Sequence, residues 1–270
     1  MASRDQLGRA GIWSRAWSVA FRSGDRRLTG AVIGGAAGLE ELGYQTLWIG
    51  QSASVRYAEP LLEATPASED SHRHREHLGP RPGVGCPPAR GSGASLLKLV
   101  RARPSVSHGE FSPQYAHPYM AMNRYLSGLD SASEPVPASG RVLAALGPKM
   151  LALARSRAAG AHPYLVTVRQ VAEARQILGP DAVLAPELTV VVDKDPARAR
   201  QAARNFLARY LAMRNYAASL ARDGFTQDDF HAGGSDRLVD GLVAAGPAES
   251  IAARITAFTK PARITWRCRQ

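Results

Sequence analysis

Gly147, Pro148 and Lys149 combine features suited to holding an anion. They follow a short apolar run, Arg141-Val142-Leu143-Ala144-Ala145-Leu146, and lead into a helical pattern from Met150 to Ala159. A glycine lets backbone approach a ligand, the first turn of a helix leaves N–H groups without carbonyl partners, and Lys149 adds a positive charge. The same three residues also suit a plain strand-to-helix turn with a solvated lysine. His108 and His162 carry the side chain whose ordinary pKa suits proton exchange near neutrality. His108 reads either as a proton donor or as a loop histidine. His162 reads either as a pocket residue or as a hydrogen-bonded core histidine. Glu187 is a lone acid in an apolar run, a position that needs a partner or a raised pKa.

Other chemistries find little to work with. No GxGxxG, Walker loop, GxSxG or HExxH is present, so dinucleotide, phosphoryl-transfer, serine-hydrolase and zincin readings have no motif behind them. His72, His74 and His77 have ligand-like spacing, but they lie in a Pro/Arg-rich stretch and no metal is expected there.

Short apolar runs alternate with helical patterns, the signature of βα units and a parallel sheet. Gly11-Ile12-Trp13-Ser14 and Thr46-Leu47-Trp48-Ile49-Gly50 read as the first two strands, separated by a helix from Ala31 to Leu42 that stops at Gly43. Tyr57 to Ala64 begins another helix. Met122, Tyr125, Leu126 and Leu129 then mark one face of a further helix. Arg141–Leu146, Ala161–Val166 and Ala182–Val192 read as strands, and Gly160 as a helix stop. Thr167 can cap a helix Val168–Leu178, and Pro196 to Met213 forms a long one. Gly233-Gly234-Ser235 opens a helix expected to run through Ala245, and Pro247 opens another through Phe258. These are strands 1, 2, 5, 6 and 7 of a single (β/α)₈ TIM barrel spanning the chain, whose active site forms at the C-terminal ends of the strands.

Strands 3 and 4 would fall in residues 66–104 and strand 8 after Phe258, and both stretches are anomalous. Residues 66–104 carry Arg73, Arg75, Arg81, Arg90, Lys98, Arg101 and Arg103 against Glu69, Asp70 and Glu76, with six of the 18 prolines. The basic tail 259–270 carries Lys260, Arg263, Arg267 and Arg269 with no acid. Most of the net charge of +11 therefore sits in two segments. Residues 66–104 hold no aromatic side chain on which a base could stack, so a non-catalytic basic protein binding nucleic acid is the weaker reading. Cys86 and Cys268 fall in the same segments and define no disulfide or metal site. No apolar run approaches the 18 or so residues of a membrane span, and the N-terminus lacks a secretory apolar core, so no membrane partner is expected and the default is cytoplasmic. The expectation is an incomplete barrel, interrupted by two reading-frame shifts, that folds poorly and is inactive as written. Translation of the other two frames across codons 66–104 and beyond 258 is then expected to yield strand-like, Gly-punctuated sequence leading into Val106-Ser107-His108. Coding DNA that yields none makes 66–104 a genuine insertion.

The passages GLEELGYQTLWIG, SGRVLAALGPKMLALARSRAAGAHPY and GGSDRLVDGLVAAGPAESIAARI resemble the luciferase-like oxidoreductases, most of all the actinobacterial branch that uses coenzyme F420. The resemblance covers about residues 5–65 and 105–258. It implies a TIM barrel, a cytoplasmic and often dimeric enzyme, and hydride transfer between a deazaflavin and a small-molecule substrate. An FMN-dependent monooxygenase is the alternative. It further implies that Gly50, Gln51, Ser107, Gly147, Pro148 and Lys149 line the cofactor, the last three at its phosphate-bearing tail, with His108 and His162 as the catalytic candidates. The deazaflavin glucose-6-phosphate dehydrogenase branch has an acid–histidine pair where this chain has Gln51 and Ser52, so that branch's substrate is not implied.

Overall fold

The computed structural model describes residues 117–132, 135 and 137–262, with short pieces at 11–13, 27–28, 30–31, 34–35, 38, 46–48, 74–76 and 95–100. The chain divides into two units, Met1–Val142 and Leu143–Gln270.

In the first unit, β1 (Gly11–Trp13) pairs in parallel with β2 (Thr46–Trp48), with Gly11 opposite Thr46 and Trp13 opposite Trp48. The described residues between 27 and 38 are helical, starting ahead of the Ala31 at which the sequence places the first helix. Two further strands occur inside the anomalous stretch. β3 (His74–Glu76) pairs in parallel with the start of β4 (Ser95–Val100). The helix α1 (Pro118–Asp130) opens on a proline, whose missing N–H is no loss in a first turn. It buries Met122, Leu126 and Leu129 of the expected face and leaves Tyr125 partly exposed. Asp130 at its end pairs with the buried Arg141 at 2.5 Å. That arginine begins β5 (Arg141–Leu143).

The second unit alternates helix and strand. α2 (Pro148–Arg157) follows β5, and β6 (Gly160–Ala161), α3 (Val168–Leu178) and β7 (Val183–Leu184) come next. β6 and β7 pair in parallel, Gly160 opposite Val183. The expected strand Ala182–Val192 is divided: β7 pairs with β6, whereas β8 (Thr189–Val192) pairs in parallel with β9 (Val243–Gly246). β9 is a correction to the sequence reading, which continued a helix through Ala245. The helix is shorter (α6, Asp236–Leu242), and Val243 to Gly246 take the hydrogen bonds of β8 instead of a further helical turn. Pairing with a distant strand overrides the helical preference of the Leu-Val-Ala-Ala run. Between these strands lie α4 (Pro196–Leu211) and α5 (Arg214–Arg222), and α7 (Ala248–Ala262) follows β9.

The helices are started by their own sequence. Thr167 and Gln170 form a reciprocal capping box on α3, and Asp195 accepts from the amides of Ala197 and Arg198 at the head of α4. The core of this unit joins Ala203, Leu207 and Tyr210 of α4, Tyr216 and Leu220 of α5, Leu238, Val239 and Leu242 of α6, and Tyr164, Leu165 and Val243.

Asp229 fastens the connection into α6. Its carboxylate accepts from the Thr226 amide at 2.9 Å, Ser235 Oγ at 2.6 Å and Arg237 Nη2 at 2.5 Å. The Arg237 guanidinium, with Ser235 and the Thr226 amide, holds that carboxyl well below the usual carboxylate range. A depressed pKa contributes stability above the unfolded-state value and loses it as pH falls toward the folded one. Asp229→Ala is therefore expected to lower the melting temperature at neutral pH, and the gap to the parent is expected to close in strong acid. A constant gap in thermal melts across that range would show that the ionised carboxylate is not what matters.

Candidate functional site

The loop after β5 brings a helix start and a guanidinium together. Gly147 is extended (φ −120°, ψ 161°), Pro148 occupies the first turn of α2, and no side chain caps the helix. The amides of Lys149 and Met150 thus point out of an uncapped helix start, the partially positive end of its dipole. Arg222, the last residue of α5, lies across this loop, and a β-carbon placed on Gly147 would come within 3.3 Å of its Nη2. Any larger side chain at 147 would therefore push the guanidinium away. The Arg222 side chain has no hydrogen bond or ion pair within the described residues, and Lys149 is exposed. Three sources of positive potential, helix start, Lys149 and Arg222, border this loop.

A buried polar network positions Arg222. The Thr167 hydroxyl donates to Asp223 Oδ2 at 2.6 Å, and Arg169 forms an ion pair with Asp223. Gln170 Nε2 donates to the Ser219 hydroxyl at 3.0 Å and to the Ser219 carbonyl at 3.2 Å. The Ser219 hydroxyl in turn reaches the Leu146 carbonyl at 3.5 Å. The end of α5 is thus tied to the capped start of α3 and to the residue before Gly147. Side chains already fixed by such partners lose little freedom when a ligand arrives.

A second cluster lies deeper. The amides of Val183, Ala185 and Glu187 donate in turn to the carbonyls of Ala159, Ala161 and Pro163, so the main chain stays paired beyond β6 and β7. Continuing that register places His162 beside Ala185 and Tyr164 beside Glu187. His162 is buried, with Nδ1 2.6 Å from the Ala185 carbonyl, the geometry of an Nδ1–H donor in a hydrogen-bonded core histidine. The Tyr164 hydroxyl is 3.2 Å from that of Tyr210, and Tyr216 packs edge-on to both rings. Burial, the neighbouring Glu187 and the Tyr210 hydroxyl all push the Tyr164 phenol upward. Glu187 accepts from Thr189 Oγ1 at 3.0 Å, while its Oε2 is sealed from solvent and has no hydrogen-bond partner among the described residues. Burial raises the Glu187 carboxyl to about 7, against the smaller opposing pull of Thr189 and the Leu165 amide. Leu165 itself is held at φ 57°, a left-handed conformation that a branched side chain seldom adopts.

Of the sequence-predicted residues, Gly147, Pro148 and Lys149 come together as one helix start, and His162 directly follows β6. Gly50, Gln51, Ser107 and His108 lie outside the described residues. Sequence reasoning missed Arg222, because an arginine closing a helix before Asp-Gly looks like any solvated last-turn cation. Glu187 was legible as a lone acid in an apolar run, but that no cation among the described residues pairs with it was not.

No family model and no curated protein matches the chain. Its structure is similar to that of an F420-dependent secondary alcohol dehydrogenase in complex with an F420-acetone adduct. The likeness has a TM-score of 0.56 and covers 93% of this chain and 89% of that one, at 13% sequence identity. At that identity it is a likeness of fold.

Proposed function

We propose that the chain is an F420-dependent oxidoreductase of the luciferase-like kind, moving a hydride between a deazaflavin and a small organic substrate with a carbonyl or unsaturated bond. The observation that carries the reading is the cationic loop of Gly147, Lys149 and Arg222, whose donors suit a phosphate-bearing tail. The fold likeness to an F420-dependent enzyme supports it. The strand pattern supports it too. β1 with β2, β3 with β4, β6 with β7 and β8 with β9 all pair in parallel, the pairing that the βα units of this fold require.

In this reading the residues bind and orient while the deazaflavin, when bound, supplies the hydride chemistry. Pro148 presets the first helical turn. Lys149 and Arg222 neutralise the anionic tail, and Asp223, Thr167 and Ser219 fix the direction from which Arg222 approaches. Gly50, Gln51 and Ser107 complete the cofactor contacts, and His108 is the proton donor to the substrate. His162 bridges the chains that continue β6 and β7. A cytoplasmic homodimer belongs to the same proposal.

Titration of the purified chain with F420 and, separately, with FMN tests the reading. F420 is expected to bind, and Arg222→Ala to weaken it about tenfold, the typical worth of one charge-assisted hydrogen bond. Gly147→Val is expected to weaken it as well, by displacing the same guanidinium. Binding of FMN without binding of F420 would favour the monooxygenase alternative and overturn the proposal.

A further inference from the structure

Glu187 stands where one extended segment changes partners. Its amide still follows the first ladder, donating to the Pro163 carbonyl at 2.9 Å, while two residues later Thr189 belongs to the second. The side chain turns back toward the Tyr164–Thr167 turn, where the Leu165 amide faces the carboxyl. Tyr164 faces it from the turn. Tyr210 of α4 and Tyr216 of α5 pack behind Tyr164. Arg209 lies over the Tyr210 ring and donates to its hydroxyl at 3.0 Å, and His162 lies one register step before Tyr164. Among the described residues, no cation forms an ion pair with Glu187, and the donors facing its carboxyl are the Thr189 hydroxyl at 3.0 Å and the Leu165 amide. An ionised Oε2 would be a sealed, uncompensated charge, and such a charge is relieved by admitting water or by moving.

The segment best placed to move is the turn. Leu165 is held in the left-handed region by its surroundings, and releasing it removes strain. Two residues on, Thr167 caps α3 and holds Asp223, the neighbour of Arg222. We propose that Glu187 is a proton-operated positioning residue. Protonated, it keeps the Tyr164–Thr167 turn closed and Arg222 over Gly147; ionised, it loosens both and weakens anion binding at that loop. The inference rests on the reading of that loop as the F420 phosphate contact. It predicts tighter F420 binding on the acid side of neutrality, as the raised carboxyl of Glu187 regains its proton.

Two measurements on the full chain separate this inference from the reading beneath it. The first is amide hydrogen exchange at residues 164–170, comparing the parent with Glu187→Gln at matched pH, with no ligand present. Protection in the parent is expected to drop between pH 6 and pH 8.5 relative to E187Q, whose permanently neutral amide keeps the turn shut. Identical protection ratios at both pH values overturn the proposal, whatever F420 does. The second is F420 affinity followed by deazaflavin fluorescence. A loss of about tenfold is expected in the parent over the same interval, as one pKa unit of coupling gives, with none in E187Q. An equal loss in both proteins overturns the coupling to Arg222. A pH-dependent turn in a chain that binds no F420 at any pH overturns the cofactor reading and supports the switch.

Discussion

Between about pH 4.5 and pH 7 the parent protein is expected to lose roughly 3 kcal/mol of stability relative to Glu187→Gln. The figure follows from a carboxyl whose ordinary value of 4.5 is raised to about 7 on folding, at about 1.4 kcal/mol per unit. The sign follows from proton uptake. Where the folded state binds more protons than the unfolded state, stability falls as pH rises. The advantage of the neutral form is thus complete below the unfolded value, disappears through the window, and the curve levels off above 7. Asp193, which Arg198 lowers to about 2, and Asp229 act in the opposite direction at lower pH. The difference between parent and E187Q cancels them. Urea denaturation at closely spaced pH values measures it, and parallel curves for the two proteins would mean that folding leaves the Glu187 pKa at its unfolded value.

Gly160→Val is expected to cost about 3 kcal/mol or more and to leave little folded protein. A β-carbon at 160 would fall within van der Waals contact of the Val183 carbonyl oxygen, with the Val183 carbonyl carbon and amide nitrogen each 2.6 Å away. All three atoms are main chain, so no side chain can rotate to make room. Overpacking ordinarily costs 1–3 kcal/mol, and here the strands β6 and β7 must also separate, taking with them the ladder that seats Glu187. Gly160→Ala is expected to show nearly the same loss, because the first methyl already clashes. Chemical denaturation of the two variants tests this. An alanine variant as stable as the parent would mean that the strands do not approach as closely as described.

Local chemistry was legible in the sequence. Pro148 at a helix start, Thr167 with Gln170 three residues on, and the buried face of Met122, Leu126 and Leu129 depend on neighbours within one or two turns, so residue types alone fix them. Gly160 shows the boundary. The sequence alone suggests a glycine that ends a helix, yet its necessity comes from the Val183 backbone across the sheet. The same holds for Val243–Gly246, whose residues suit a helix until Thr189–Val192 offers a parallel partner. Arg222 has no special spacing, and it meets Gly147 only because Thr167, Gln170, Ser219 and Asp223 clamp the end of α5. Glu187 was conspicuous as an isolated acid, but the exclusion of water from its Oε2 and the absence of a cation among the described residues depend on which chains pack around it. Sequence determined where helices begin and which faces are apolar, since those preferences act over a few residues. Tertiary structure alone decided strand partners, close backbone approaches and the charge state of a half-buried acid, because each is set by groups brought together only when distant segments pack.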